Sequence, residues 1–467
     1  MNSVKAAGAA QPAMPPAARF AREIERPSVN RQILRAAATV TAVGIFVKLI
    51  AAFKEFVLAG TYGRSDAMDA FLAAFLIPGL LINLIAESMN QALVPTLIRV
   101  REREGIEPSR RLLSNSMVWL CLLLAAVSAA MAITARAFFP LIAWNFAPAK
   151  LDLAVRLFYG LVPLVLITGI ATNCTAVLNT LGRFSLPAIA PVALPLTVML
   201  SAWALSARMG PWAMVIGNLA GAIIQAFIVG WGMRSHGYPF RLRWYGMDAA
   251  TREVAHQYWP VLLSSAVASG GLLVDQSMAA ALSPGSVSAL AYAGRFVGVI
   301  LTLLAGAIST AVIPYFSRMI AFEDWAGCRH SLRTCVTVTA LISAPLALAL
   351  IAGASWLVRV TYQHGAFGQK DTAAVVPVLI LYAIQIPFIV TSRVFYRFLA
   401  AMRRNDLILW CGVLNLVLDV VLNLLLMRWL GVAGIALATS LWAASTFFFL
   451  WFWTWKLLPR APVGAAL

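Results

Sequence analysis

Apolar residues run on for about twenty positions at a time along most of this chain, without the polar stripe that a helix on a soluble protein carries. Charged residues, prolines and glycines cut the sequence into twelve such runs, at 33–61, 67–98, 112–140, 152–180, 184–206, 212–232, 253–283, 287–320, 329–352, 372–402, 405–428 and 431–457. Crossing the ~30 Å hydrocarbon core of a bilayer takes roughly 20 helical residues, so each run can span, and the longer ones must tilt or extend past the lipid. The pattern predicts an all-α membrane protein of about 12 transmembrane helices.

The polar segments between the runs orient them, because cytoplasmic loops are enriched in Lys and Arg. With the N-terminus in the cytoplasm, the first tail and the loops on its side hold most of the 36 Lys and Arg, among them Arg99, Arg101, Arg103, Arg110 and Arg111 between the second and third runs. The opposite side holds Arg64, Arg136, Lys150, Arg156, Arg208, Arg359, Lys370 and Arg428. This alternation predicts an even number of helices and both termini inside, in a bacterial inner membrane. Residues 1–29 are basic and rich in Ala and Pro, with no apolar core ahead of a cleavage site, and read as a disordered cytoplasmic tail; 459–467 is a second one.

Two helix ends repeat. Ala92-Leu93-Val94-Pro95-Thr96-Leu97-Ile98-Arg99 closes the second run, and Ala311-Val312-Ile313-Pro314-Tyr315-Phe316-Ser317-Arg318 closes the eighth. Pro and Arg are common at cytoplasmic helix ends, but these copies lie close to half a chain apart and point the same way. They predict two parallel six-helix lobes, 30–232 and 251–458, joined by a cytoplasmic linker at 233–250, around a central cavity. Transporters built from such parallel repeats place the substrate site between the halves.

Composition agrees with the pattern: 61% of residues are hydrophobic, 12% are charged and mean hydropathy is +0.84, against roughly half apolar and a quarter charged in soluble domains. A net charge of +18 would suit nucleic acid, yet the basic residues lie in short segments and form no basic domain. The cysteines, Cys121, Cys174, Cys328, Cys335 and Cys411, show neither metal spacing nor a disulfide framework. The short loops lack the paired acidic residues that a membrane glycosyltransferase needs. The chain reads as a transporter and not an enzyme.

Ionisable side chains at membrane depth are costly unless they face a cavity or a partner, which makes them candidate site residues. Here they are Lys48, Lys54, Glu55, Asp69, Glu87, Asp275, Arg295, Arg393, Arg397 and Asp419. Lys48 and Glu55 are seven apart and share a helix face. With Arg295 they would form a cationic cavity able to hold a phosphate or diphosphate. The plainer alternative is a set of buried ion pairs that only hold helices together; the excess of cations favours the cavity and argues against a drug–cation antiporter. Arg393 and Arg397, near the inner end of the tenth run, are placed to snorkel towards headgroups. Asn415 and Asp419 lie one turn apart on the eleventh run, and Asp275 on the seventh. Two carboxylates and an amide oxygen suit sodium, with a shared proton as the alternative.

Several stretches resemble the MurJ/MviN family of lipid II flippases, within the multidrug/oligosaccharidyl-lipid/polysaccharide exporter superfamily. They include Lys54-Glu55-Phe56-Val57-Leu58-Ala59, Tyr62-Gly63, Asp69-Ala70-Phe71, Pro78-Gly79-Leu80-Leu81, Ala86-Glu87-Ser88 and Gln91-Ala92-Leu93-Val94-Pro95. Further along come Asn179-Thr180-Leu181-Gly182-Arg183, Pro284-Gly285-Ser286-Val287-Ser288, Tyr292-Ala293 with Arg295, His364-Gly365-Ala366-Phe367, and Leu430-Gly431-Val432-Ala433-Gly434. The resemblance implies a flippase that moves a polyprenyl-diphosphate saccharide, lipid II first among them, from the inner to the outer leaflet by alternating access, in the service of peptidoglycan biosynthesis. It implies substrate-binding roles for Lys48, Lys54, Glu55, Asp69, Glu87 and Arg295. It further implies a sodium site at Asp275, Asn415, Asp419 and Thr439, and no other cofactor. The chain departs from the family where Ile82 and Asn83 stand in place of basic residues, where lysines replace two cavity arginines, and in ending after the twelfth run. Those departures keep two alternatives in view: a flippase for an exopolysaccharide or O-antigen unit, and a non-transporting regulatory relative.

Overall fold

A computed structural model describes residues 27–309, 316, 319–320, 322–402 and 404–458; the side chains of 27–42, 87, 264, 267–268, 305–309 and 405 lie outside the described residues. The helices are α1 Pro27–Tyr62, α2 Asp66–Arg103, α3 Ile106–Ile142, α4 Pro148–Thr180, α5 Ser185–Met209, α6 Trp212–Ser235, α7 Ala249–Ala280, α8 Ser286–Ser309, α9 Trp325–Tyr362, α10 Gln369–Ala401, α11 Asn405–Leu430 and α12 Val432–Leu457. They follow the twelve predicted runs. Helix α1 starts at Pro27, inside the segment expected to be tail. The remainder of both tails, and all of the second repeat copy at 311–318 except Phe316, lies outside the described residues.

Ten of these helices are long and apolar enough to cross a membrane, and the protein is a multi-pass membrane protein. The other two, α1 and α7, hold four of the ionisable residues singled out above: Lys48, Lys54, Glu55 and Asp275.

Local chemistry sets the helix ends. Ser65 caps α2 by accepting from the Met68 amide, Asp248 caps α7 through the Thr251 amide, and Asp324 caps α9 through the Gly327 amide. Gly210 ends α5 and Gly431 ends α11 in nearly the same conformation, φ 54° and ψ −133° against φ 57° and ψ −134°. Side chains with a Cβ avoid that region, so glycine is what permits both tight turns. These matching turns, near half a chain apart, repeat the relation seen between Pro95 and Pro314. Pro78 and the wide π-helical turn Ile82–Ala86 interrupt α2, the usual causes of a helix kink.

Packing groups α1 to α6 around α4 and α6, and α8 to α12 around α10 and α12. Helix α7 packs against α11 of its own half and also along α2 and α3 of the other. The linker is tied down at Asn115 on α3, wholly buried, which donates to the Gly246 carbonyl and to Thr251 and accepts from the Tyr245 amide. Ser114 accepts from the Arg243 amide and donates to the carbonyls of Arg241 and Arg243. The connection between the halves therefore runs on a fixed course across α3.

Candidate functional site

At the loop end away from the described termini, the turns after α1, α7 and α9 meet. The Ala366 amide donates to the Gly60 carbonyl at 2.7 Å, and Tyr292 Oη donates to the Gly63 carbonyl at 3.0 Å. His364 stacks on Phe56 with centroids 3.8 Å apart, and Arg64 Nε donates to the Gly285 carbonyl at 3.0 Å. A Cβ on Gly63 would lie 2.6 Å from the Ala366 oxygen, and one on Gly365 2.2 Å from the Gly60 oxygen. Only glycine allows the two halves to approach so closely. The Tyr62-Gly63 and His364-Gly365-Ala366-Phe367 stretches are thus the two sides of one contact that closes this end.

Asp69 belongs to that closure. Its Oδ2 accepts from the Gly285 amide at 2.6 Å and from Lys150 Nζ at 2.8 Å, and its Oδ1 accepts from the Ser288 amide at 2.9 Å. A carboxylate on the first turn of α8 satisfies amides that have no partner within the helix and meets the positive end of its dipole. Asp69 was expected to bind substrate, but these bonds occupy it as the N-terminal cap of α8, and it does not line the cavity described next. Lys150, expected only as an outer-loop cation, is buried, pairs also with Asp66 at 2.6 Å, and lies over the Phe146 ring.

Deeper in the bundle, α1 supplies Lys48, Lys54 and Glu55 to a cavity of about 730 Å³ whose far walls are α8 and α9. Arg295 enters it from α8. Glu55 is buried and bonded twice through Oε1, to Lys54 Nζ at 3.0 Å and to Arg295 Nε at 3.1 Å. Lys48 is exposed into the cavity and makes no ion pair among the described residues. From the end of α1 at Tyr62, Lys48 is about 21 Å down the axis, near the middle of a ~30 Å core. Three cations face one carboxylate, and Phe53, Val299, Leu350 and Leu357 furnish apolar walls. An ion-pair lattice that merely held helices together would leave no cation over, so the arrangement suits a multiply charged anion, with apolar walls that keep water from screening it. Four of the six expected substrate residues meet here. The side chain of Glu87 lies outside the described residues.

The acidic pair also assembles. Asn423 Nδ2 donates to Asp275 Oδ1 at 2.8 Å and to Asp419 Oδ1 at 3.2 Å, and Thr439 Oγ1 donates to Asp275 Oδ2 at 3.3 Å. All four side chains are buried. Asn415 stands apart: its Oδ1 accepts from Thr446 at 2.8 Å, and it reaches neither carboxylate. Asn423, one turn beyond Asp419, takes the place expected for it. Asn423 Oδ1 is buried without a partner. The two ends of an amide are interchangeable by a half-turn, and that turn would aim the Asn423 oxygen at the carboxylates. With the amide so turned, Asp275, Asp419, Asn423 and Thr439 would present oxygens only, a donor set that fits a hard monovalent cation.

The family model described as lipid II flippase MurJ matches residues 58–463. The probable lipid II flippase MurJ of Synechocystis sp. is 25% identical over 425 residues, which is 88% of this chain and 79% of that one. The lipid II flippase MurJ of Burkholderia cenocepacia is 27% identical over 389 residues, 78% and 72% of the two chains. Among solved structures, a lipid II flippase MurJ in an inward closed conformation superposes with a TM-score of 0.76 at 22% identity, covering 90% of this chain and 88% of that one. An inward-facing multidrug resistance MATE family transporter of the MOP superfamily superposes with a TM-score of 0.73 at 12% identity, covering 90% and 98%. At these identities the solved structures establish the fold.

Proposed function

The chain belongs to the lipid II flippase MurJ family, and on that premise we propose that it carries lipid II from the inner to the outer leaflet of a bacterial inner membrane, with both termini in the cytoplasm. The observation that carries the reading is the excess of cations over the single carboxylate Glu55, in a cavity between α1 of one half and α8 and α9 of the other, at membrane depth. The diphosphate of the lipid-linked saccharide sits against Lys48, Lys54 and Arg295 while its prenyl chain stays in lipid. In the inside-negative membrane, export of that anion is downhill by about 2.3 kcal/mol per charge per 100 mV. With the N-terminus inside, the Asp69–Gly285 and Gly60–Ala366 contacts lie on the outer side, and their opening releases the headgroup outwards. Asp275, Asp419, Asn423 and Thr439 would hold a sodium ion, which would supply the charge that lets the two buried carboxylates lie side by side.

The test is complementation of a bacterium depleted of its own lipid II flippase, scored by lipid II accessible at the outer surface. Restored accessibility with the wild-type chain, and its loss in a membrane-inserted Lys48→Ala variant, is the expected result. No restoration from a protein present in the membrane would overturn lipid II as the substrate and point to another lipid-linked saccharide.

A further inference from the structure

A second cavity, of about 810 Å³, lies wholly within the second half, between α7, α10, α11 and α12. Helices α7 and α11 touch where a Cβ on Gly270 would meet Leu416 Cδ1 at 3.5 Å, and the cavity opens between them towards Pro260, Leu263, Ile408 and Leu409. Leu263 and Leu409 are 65% and 60% exposed. Along α11, the cavity lining runs from Ile408 to Asp419. That is about 16 Å of helix, close to the hydrocarbon depth of one leaflet, about 15 Å.

The walls are mostly apolar, with Asn415, Thr446 and Asp419 among the lining and two arginines on α10. Arg393 lines the cavity and Arg397 follows one turn later on α10; neither makes an ion pair or hydrogen bond among the described residues. Ser392 is 2% exposed, lines the same cavity, and its Oγ has no partner. Unneutralised arginines beside an apolar slot, with a buried hydroxyl at their level, ask for an anionic headgroup that continues into a hydrocarbon chain.

We propose that this cavity is a site for an anionic phospholipid of the inner leaflet, its phosphate on Arg393 and Arg397, a glycerol or ester oxygen on Ser392, and one acyl chain between α7 and α11. The leaflet rests on the orientation argued above; the headgroup chemistry does not. One leaflet of depth fits an acyl chain and is too short for a whole polyprenyl chain. The lipid would wedge α7, the helix that packs on both halves, just below Asp419.

The experiment titrates the purified full-length protein with phosphatidylglycerol or phosphatidylcholine under native mass spectrometry. The expected result is preferential retention of phosphatidylglycerol, weakened about thirtyfold in the Arg393→Gln/Arg397→Gln double variant at roughly tenfold or less per basic side chain, and abolished by Gly412→Leu, which fills the slot. Equal retention of the two lipids overturns the proposal, as does unchanged phosphatidylglycerol affinity in the arginine variant, whose fold is checked by an unchanged helix content. Displacement of phosphatidylglycerol by a polyprenyl phosphate at equal concentration would make the substrate chain the occupant and overturn it too. Lipid retention by the flipping-deficient Lys48→Ala variant separates this site from the flippase reading.

Discussion

Asp69→Asn should unlatch the outer end, and the structure says by how much. Asp69 pairs with Lys150, but that residue lies on α4 of the same half, so the ion pair survives any rocking of the halves. Of the bonds to Asp69, only those from the Gly285 and Ser288 amides cross between halves. Hydrogen bonds to a charged group contribute about 1.5–3 kcal/mol each. Asparagine removes the charge and turns one oxygen into a donor facing an amide donor. The closed arrangement therefore loses about 3 kcal/mol against the open one, more than a hundredfold in the equilibrium between them. Asp66→Asn is the control, since among the described residues the Asp66 carboxylate bonds only Lys150, within its own half. Spin labels at Met209 and Leu430, exposed at the ends of α5 and α11, in a background with the five native cysteines replaced, report the separation by double electron–electron resonance. We expect a short distance in the parent and in Asp66→Asn, and a dominant longer one in Asp69→Asn. A distance distribution for Asp69→Asn that matches the parent, from monodisperse protein, would refute the latch.

Arg295→Ala should insert normally yet lose flipping, because it frees Glu55 to neutralise Lys54 and leaves Lys48 as the one unpaired cation of that cavity among the described residues; lipid II accessibility in cells checks this. Asn423→Ala should remove any sodium dependence of transport in proteoliposomes, whereas Asn415→Ala should leave it, reversing what the spacing on α11 suggests. Gly431→Ala forces a Cβ into a glycine-only conformation at a cost of about 1–3 kcal/mol, and should lower the melting temperature with helix content unchanged by circular dichroism.

The helices were legible because a bilayer imposes one rule on every span: backbone groups must bond within the helix, and about twenty apolar residues must follow one another. The cationic cavity was legible for the same reason, since Lys48 and Arg295 stand out against lipid. Asp69 stood out equally and was misplaced. A charge at membrane depth signals that something pays for its burial, and sequence cannot distinguish a substrate from the amides of a neighbouring helix turn. The partner here is Ser288, 219 positions away in the chain. Lys150 gave the opposite error: near a loop it looked like a solvated cation, and nothing local reveals that Asp69 and Phe146 enclose it.

Asn423 is a different kind of miss. Three polar residues punctuate α11 at one-turn intervals, Asn415, Asp419 and Asn423, and the period that places the first two on one face places the third there as well. Which end of the stripe meets Asp275 depends on how far α7 and α11 slide along each other. That offset is set where they touch: a Cβ on Gly271 would lie 3.3 Å from Asp419 Oδ2, so the bare backbone at 271 admits the carboxylate. One turn towards the inner end, beside the Gly270–Leu416 contact, Asn415 turns to Thr446 and the open slot. The register of two glycines on α7 thus decides which amide joins the carboxylates and which is left beside the lipid-sized cavity. Gly271→Ala should disturb both at once, pressing on Asp419 while shifting the wedge below it, and loss of sodium dependence together with loss of phosphatidylglycerol retention would tie the two sites to that single contact.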